Sequence, residues 1–195
     1  MKFFLSVFIF ILSFQSLTIA NDISDFEIDG MSIGDSALDY FTKKELDNKD
    51  RTDFYKDNDF MDVTINPKDS QYDSIGLTLK PNDKNYIIYA INGGLHFDNN
   101  DECLVTKEKI VKSVSDMFKD AEVSNPGKRN YAADPTGESK SYSIYYWIKG
   151  AFIEISCYDI TEKLANEKNW IKNILNVSTV SKEFADFLLT KQYGA

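Results

Sequence analysis

The sequence is short of the residues that metal and redox chemistry draw on. Among 195 residues it has one histidine and two cysteines. His96 has no second imidazole with which to share a zinc ion, and no C-x-x-C pair stands in for one. Cations are outnumbered too: 22 lysines and arginines face 31 aspartates and glutamates, for a formal net charge of −9. A nucleic-acid partner needs clustered cations to neutralise phosphates, and attraction to anionic lipid needs the same, so neither is expected. No apolar run beyond residue 20 approaches the ~20 residues of a membrane-spanning helix. Internal repeats and low-complexity tracts are absent as well.

What is present begins with a secretory layout over 1–20: Lys2, an almost wholly apolar core from Phe3 to Phe14, and a polar stretch ending in the small residue Ala20. That pattern predicts a signal peptide cleaved after Ala20 and a periplasmic or secreted mature chain, with no stable membrane span after cleavage. No cysteine stands near the cleavage point, so lipid attachment there is not expected. The remainder, 21–195, is of single-domain length, and 43% hydrophobic with 14% aromatic residues suffices for a core.

The most informative stretch runs from Tyr142 to Tyr158. Two runs rich in aromatic and β-branched residues flank Lys149-Gly150, a two-residue hairpin loop by composition. That loop sets Ile148 opposite Ala151, Tyr146 opposite Ile153, Ile144 opposite Ile155 and Tyr142 opposite Cys157. All eight then share one face, because side chains alternate along a strand. The other face carries Trp147 beside Phe152 and Tyr145 beside Glu154, an amphipathic surface expected to be partly covered.

Around the hairpin the expectations are these. A short strand over 26–29 precedes a helix capped by Ser32 with Asp35, burying Ile33, Ala37, Leu38 and Phe41. A charged helix end and loop occupy 43–59. Strands follow over 61–65 and 74–80, then a turn at 81–84 and a buried strand over 86–91. That turn pairs Leu79 with Tyr86, Leu77 with Ile88 and Ile75 with Ala90, and Gly93-Gly94 reads as a bulge. A helix over 101–121 buries a stripe of Cys103, Ile110, Val114, Met117 and Ala121, with lysines 107, 109, 112 and 119 mainly elsewhere. The stretch 122–141 is so rich in turn signals that it reads as a long loop, functional or mobile. A capping box at Asp159 to Glu162 opens a charged helix. A last strand spans 170–180, and Phe184, Phe187 and Leu188 mark a terminal amphipathic helix. The class is α+β: an antiparallel, meander-like sheet with helices packed mainly on one face.

Cys103 on the helical stripe and Cys157 on the hairpin's apolar face both point into one helix–sheet interface. In an exported chain, where thiols oxidise, this predicts a Cys103–Cys157 disulfide; two free buried cysteines are the alternative.

Gly30-Met31-Ser32-Ile33-Gly34 fits the G-x-S-x-G nucleophile elbow, and Gly34-Asp35-Ser36-Ala37-Leu38 resembles the G-D-S-x-L block of the GDSL (SGNH) hydrolases. That resemblance implies a serine nucleophile, yet the family's terminal D-x-x-H block is missing, since His96 follows Gly93-Gly94-Leu95 in mid-chain. Ser32 reads first as a helix cap. Asp98-Asn99-Asn100-Asp101-Glu102 offers oxygen ligands for calcium, but EF-hand spacing fails at Cys103 and Lys109, and the same acids suit a helix amino end. His96, with Lys128, Arg129 and Tyr131 in the long turn-rich stretch, makes a candidate set for contact with a ligand or partner. No catalytic, cofactor or metal residue is assigned.

Phe26-Glu27-Ile28-Asp29-Gly30-Met31-Ser32-Ile33-Gly34-Asp35-Ser36, the Gly93-Gly94…Phe97…Cys103 segment and Ser156-Cys157-Tyr158-Asp159 resemble a group of exported proteins of streamlined marine alphaproteobacteria that carry no assigned activity. A dozen residues around Gly30-Met31-Ser32 are similar to the opening of small envelope-assembly lipoproteins of the BamE type, without their lipobox cysteine. The expectation is therefore an exported, non-enzymatic binding or envelope-accessory protein without cofactor, its partner an unknown protein or small molecule. A serine hydrolase using Ser32 or Ser36 and a calcium-stabilised structural domain are the alternatives.

Overall fold

Lys149 and Gly150 both take left-handed backbone angles, φ 52° and 87°. Such a pair matches the right-handed twist of the strands it joins, so the hairpin closes in the expected register. Ile148 faces Ala151, Tyr146 faces Ile153, Ile144 faces Ile155 and Tyr142 faces Cys157. The computed structural model describes residue 20 and residues 22–47, 52–168 and 171–194. Of the expected signal peptide over 1–20, residues 1–19 lie outside the described residues, as do Asp50 and Trp170.

In chain order the elements are α1 (Lys43–Leu46), β1 (Thr52–Phe54), β2 (Met61–Ile65), β3 (Ser74–Leu79), β4 (Ala90–His96), α2 (Asn100–Met117), β5 (Glu122–Asn130), β6 (Lys140–Ile148), β7 (Ala151–Asp159), α3 (Glu162–Lys168), β8 (Asn173–Val180) and α4 (Lys182–Phe187). The strands form one antiparallel sheet in the order β1-β2-β3-β4-β8-β7-β6-β5. It is two meanders joined at β4 and β8. The chain leaves β4, crosses the sheet as α2, and starts again from the opposite edge. This is an α+β fold.

One face of the sheet, here the helix face, packs against α2 and the N-terminal segment. Val63, Ile75, Leu77, Ile91, Leu175, Val177, Ile153, Ile155, Ile144 and Tyr146 meet Ile28, Met31, Ala37, Cys103 and Val114 in one continuous core. Burying each such aliphatic side chain stabilises by about 1.5–3 kcal/mol. The Cys103 and Cys157 sulfurs are bonded, with Cα atoms 6.1 Å apart, as the two patterns require. Tyr146 adds a polar tie, its hydroxyl 2.7 Å from Ser115 Oγ and donating to the Val111 carbonyl at 3.1 Å. Lys107 also lies on the buried stripe, and its Nζ comes out 3.5 Å from Glu108. A long amine can line apolar surface with its stem, which fills the gap of seven between Cys103 and Ile110.

Several local expectations are corrected. Residues 26–29 form no strand, only the Ile28–Met31 bridge around Asp29 and Gly30 at φ 56° and 77°. Asp35 does bind the Ser32 amide, at 2.9 Å, but Gly34 at φ 94° ends the turn before a helix starts. Ser36 instead caps a 3-10 turn over Ala37–Asp39. The run from Tyr86 breaks there as well, because Tyr86 sits at φ 50°. Residues 86–88 bond to the N-terminal segment: Gly34 donates to Ile88, Ile88 to Asp35, and Ala37 to Tyr86. β4 therefore begins at Ala90, and Leu77 faces Ile91 rather than Ile88.

Gly93 and Gly94 make no bulge. They pair in register with β3 and β8. A Cβ on Gly93 would stand 2.5 Å from the Tyr72 ring, so the glycine makes room for that ring against the strand. Thr161, not Asp159, caps α3, accepting from Leu164 at 3.4 Å.

The turn-rich stretch is also not a loop throughout. Its first part is edge strand β5, exposed along most of its length, with Asn125-Pro126 taken up in an irregularity between Ser124 and Gly127. Proline and bulges are admitted at a sheet edge, where no neighbouring strand needs the amide. The turn after β5 is held by Asp134, which accepts from Ser139 and Thr136 amides at 2.7 and 2.9 Å. Those hydroxyl and amide donors hold its carboxyl well below the usual range.

Candidate functional site: the open face of the sheet

Alternation gives the second face of the sheet its composition, and that composition differs from one end to the other. At one end α4 covers Ala90, Val180 and Phe152 with Phe184 and Phe187, joined by Phe60 and Tyr55. At the other end Tyr158 packs on Tyr131, with ring centres 5.3 Å apart, beside α3. Between them run two rows in which Gly94, Ser156 and Ser143 are buried and the other residues are half-buried or exposed. One runs Gly76, Asn92, Ser178, Glu154, Tyr145 across β3, β4, β8, β7 and β6. The next runs Ser74, Gly94, Asn176, Ser156, Ser143 across the same strands. The β3–β4–β8 side is low, made of glycine, serine and asparagine. The β7–β6 side is high, made of tyrosine, phenylalanine and tryptophan.

Glu154 stands where the two sides meet. Four hydroxyl oxygens lie within 3.4 Å of its Oε1, from Ser156, Tyr145, Tyr158 and Ser143. Ser156 is fully buried and also meets Ser143 Oγ at 2.7 Å. Burial, and then the Glu154 charge, push the Tyr145 phenol up to about 12 and the Tyr158 phenol well above its ordinary value. Both phenols therefore keep their protons at neutral pH and serve as donors. A carboxylate oxygen has two lone pairs, so four hydroxyls leave Oε1 more than saturated.

The second oxygen is different. Among the described residues nothing donates to Glu154 Oε2, and no lysine, arginine or histidine forms an ion pair with this carboxylate. The side chains of Asn176 and Ser178 are half-buried beside it and likewise exchange no hydrogen bond with a described residue. None of these atoms is sealed from solvent. Polar side chains that are positioned, partly desolvated and unused are able to recognise a ligand.

The residues singled out from the sequence do not gather in one place. His96 and Arg129 share a row through Ile174, Tyr158 and Ser141. Four strand spacings separate them, roughly 19 Å. His96 Nδ1 lies 3.7 Å from the Asp73 carboxylate. Arg129 donates to the Pro126 carbonyl at 3.1 Å. Lys128 points to the helix face, its Nζ 5.6 Å over the Tyr142 ring. By register His96 and Arg129 lie on the open-face side with Tyr158, and Tyr131 reaches that side by packing on the Tyr158 ring.

The candidate nucleophiles are occupied: Ser32 donates to the Ser24 carbonyl at 3.0 Å and Ser36 to the Asn85 carbonyl at 2.7 Å. In the acidic run, Asn99 caps α2, accepting from Glu102 at 3.0 Å. Among the described residues no three His, Cys, Asp or Glu side chains converge as a metal would require. The same residues include no helix long and apolar enough to cross a membrane.

Sequence reasoning placed Trp147, Phe152, Tyr145 and Glu154 together on the hairpin's second face. It missed their neighbours Asn92, Asn176 and Ser178, whose strands are joined to the hairpin only through tertiary pairing. No family of known proteins matches the chain, nor does any curated protein or solved structure.

Proposed function

We propose that the chain is an exported, non-enzymatic binding protein of the periplasm or the extracellular space, and that it holds a small polar ligand on the open face of the sheet. The observation that carries this reading is the set of unused polar atoms at Glu154 Oε2, Asn176 and Ser178. Sheet faces that need only solvation carry exposed charges, whereas these groups are half-buried, fixed on strands and flanked by aromatic rings. A built nucleophile would speak for hydrolysis, and both candidate serines instead donate to backbone carbonyls.

Equilibrium dialysis of the mature chain against a small-molecule extract, followed by mass spectrometry of what is retained, tests the reading. A compound retained by the wild-type chain and lost from the Asn176→Ala, Ser178→Ala double variant is expected. Retention of nothing would overturn it, as would equal retention by a double variant that is still folded.

A further inference from the structure

We infer that the ligand carries an ammonium group and that Glu154 Oε2 receives it. This rests on the binding reading above and adds the ligand's charge. The carboxylate is the first consideration. Its cross-strand neighbours are Ser178 and Tyr145, with Asn92 one strand further along the row, and the adjacent rows bring Asn176, Ser156 and Phe152. None of these is a cation. A half-buried carboxylate lacking an opposite charge is costly to desolvate, so a neutral ligand covering it would meet a penalty that a cation offsets.

The second consideration is the split between the two oxygens. Oε1 is filled by four hydroxyls of the protein. A guanidinium gains most from a carboxylate by gripping both oxygens in parallel, which that arrangement denies. An ammonium needs only one oxygen. The third consideration is aromatic. Tyr145 packs edge-on to Phe152 with centres 5.9 Å apart, and Trp147 lies 4.9 Å from the same ring. Tyr145 lies across from the carboxylate and Phe152 two residues along its strand, and the faces of such rings attract a cation through their quadrupole. Asn176 and Ser178, on the low side, are placed to hydrogen-bond the polar remainder of the molecule.

Calorimetric titration of the mature chain with two matched pairs tests the charge: ethanolamine against ethylene glycol, and choline against its neutral carbon isostere dimethylbutanol. At least one cation is expected to bind about tenfold or more tightly than its neutral partner, the scale of a charge-assisted contact. Glu154→Gln keeps the shape and an acceptor for the hydroxyls, so it is expected to lose about tenfold in affinity for the cation. A melting curve close to wild type would locate that loss at the site rather than in the fold. Equal binding of charged and neutral partners, unchanged binding by Glu154→Gln, or binding of neither cation would overturn the inference. A neutral or anionic compound recovered by dialysis would overturn the ammonium assignment alone and leave the binding reading standing. An empty dialysis together with silent titrations would remove both.

Discussion

Two neighbouring rows of the same five strands lie one residue apart and have opposite fates. Leu77, Ile91, Thr179, Ile153 and Tyr146 are all at most 1% exposed. Gly76, Asn92, Ser178, Glu154 and Tyr145 are half-buried or exposed. The backbone, the pairing and the twist are shared, so only the side chains and what covers them distinguish the rows. The helix face is closed by α2, a disulfide and the N-terminal segment. The open face is covered only at its two ends. Stability is thus assigned to one side of the sheet and the proposed recognition to the other, and the alternation of the strand keeps them apart.

That division is checked first where it is expected to be largest. Replacing Cys103 and Cys157 by serine frees a loop with a sequence separation of 54, and urea denaturation should show a loss of roughly 4 kcal/mol. Ile153→Ala, on the helix face, should cost roughly 3 kcal/mol by the same measurement, because the site cannot collapse around the cavity.

Thr179 goes the other way. Its hydroxyl is fully buried among aliphatic neighbours with no hydrogen-bond partner, so Thr179→Val should stabilise by about 1 kcal/mol.

Asp62 supplies a pH dependence under the covered end of the open face. Burial pushes its carboxyl up, although Thr78 and Tyr55 donate to it. A folded value above the unfolded one means that stability is lost as pH rises through that interval. Asp62→Asn should therefore be more stable than wild type at neutral pH. The gain should vanish below about pH 3.9, where the unfolded carboxyl is protonated too, as melting curves across pH would show.

The smallest effect belongs to the open rows. Asn176→Ala and Ser178→Ala should each shift stability by less than about 0.5 kcal/mol, since no protein contact is lost. Penalties there as large as that of Ile153→Ala would erase the contrast between the faces.

The hairpin and the disulfide were legible because each rests on local chemistry: a loop that tolerates φ above zero, and two periodic patterns that each expose a cysteine to the same interface. The β3–β4 register was not, because Tyr86 to Ile91 is apolar throughout and pairs Leu77 as readily with Ile88 as with Ile91. The outcome followed from Ile88 and Tyr86 bonding a segment some fifty residues away, at Gly34 to Ala37. β5 escaped notice for a related reason. Both of its faces are largely exposed, so no alternation marks it, and its strand character comes from backbone pairing with β6. Of the candidate site, Tyr145 and Glu154 were readable as a cross-strand pair. Asn92, Asn176 and Ser178 were not, since nothing local to β4 or β8 says which strands lie beside the hairpin.

Side-chain periodicity and the Lys149-Gly150 loop were enough, with no coordinates, to assign the α+β class and the hairpin, and, together with the expected export, to favour a bond between Cys103 and Cys157 over two free thiols. Those are local properties: a residue's face follows from its parity, and a turn from its own dihedral preferences. The order of the strands, the docking of the N-terminal segment onto residues 86–88 and the meeting of Glu154 with Asn176 and Ser178 arose only in the folded molecule. They depend on which distant surfaces lower the free energy most when brought together, and that comparison is made by the whole chain at once.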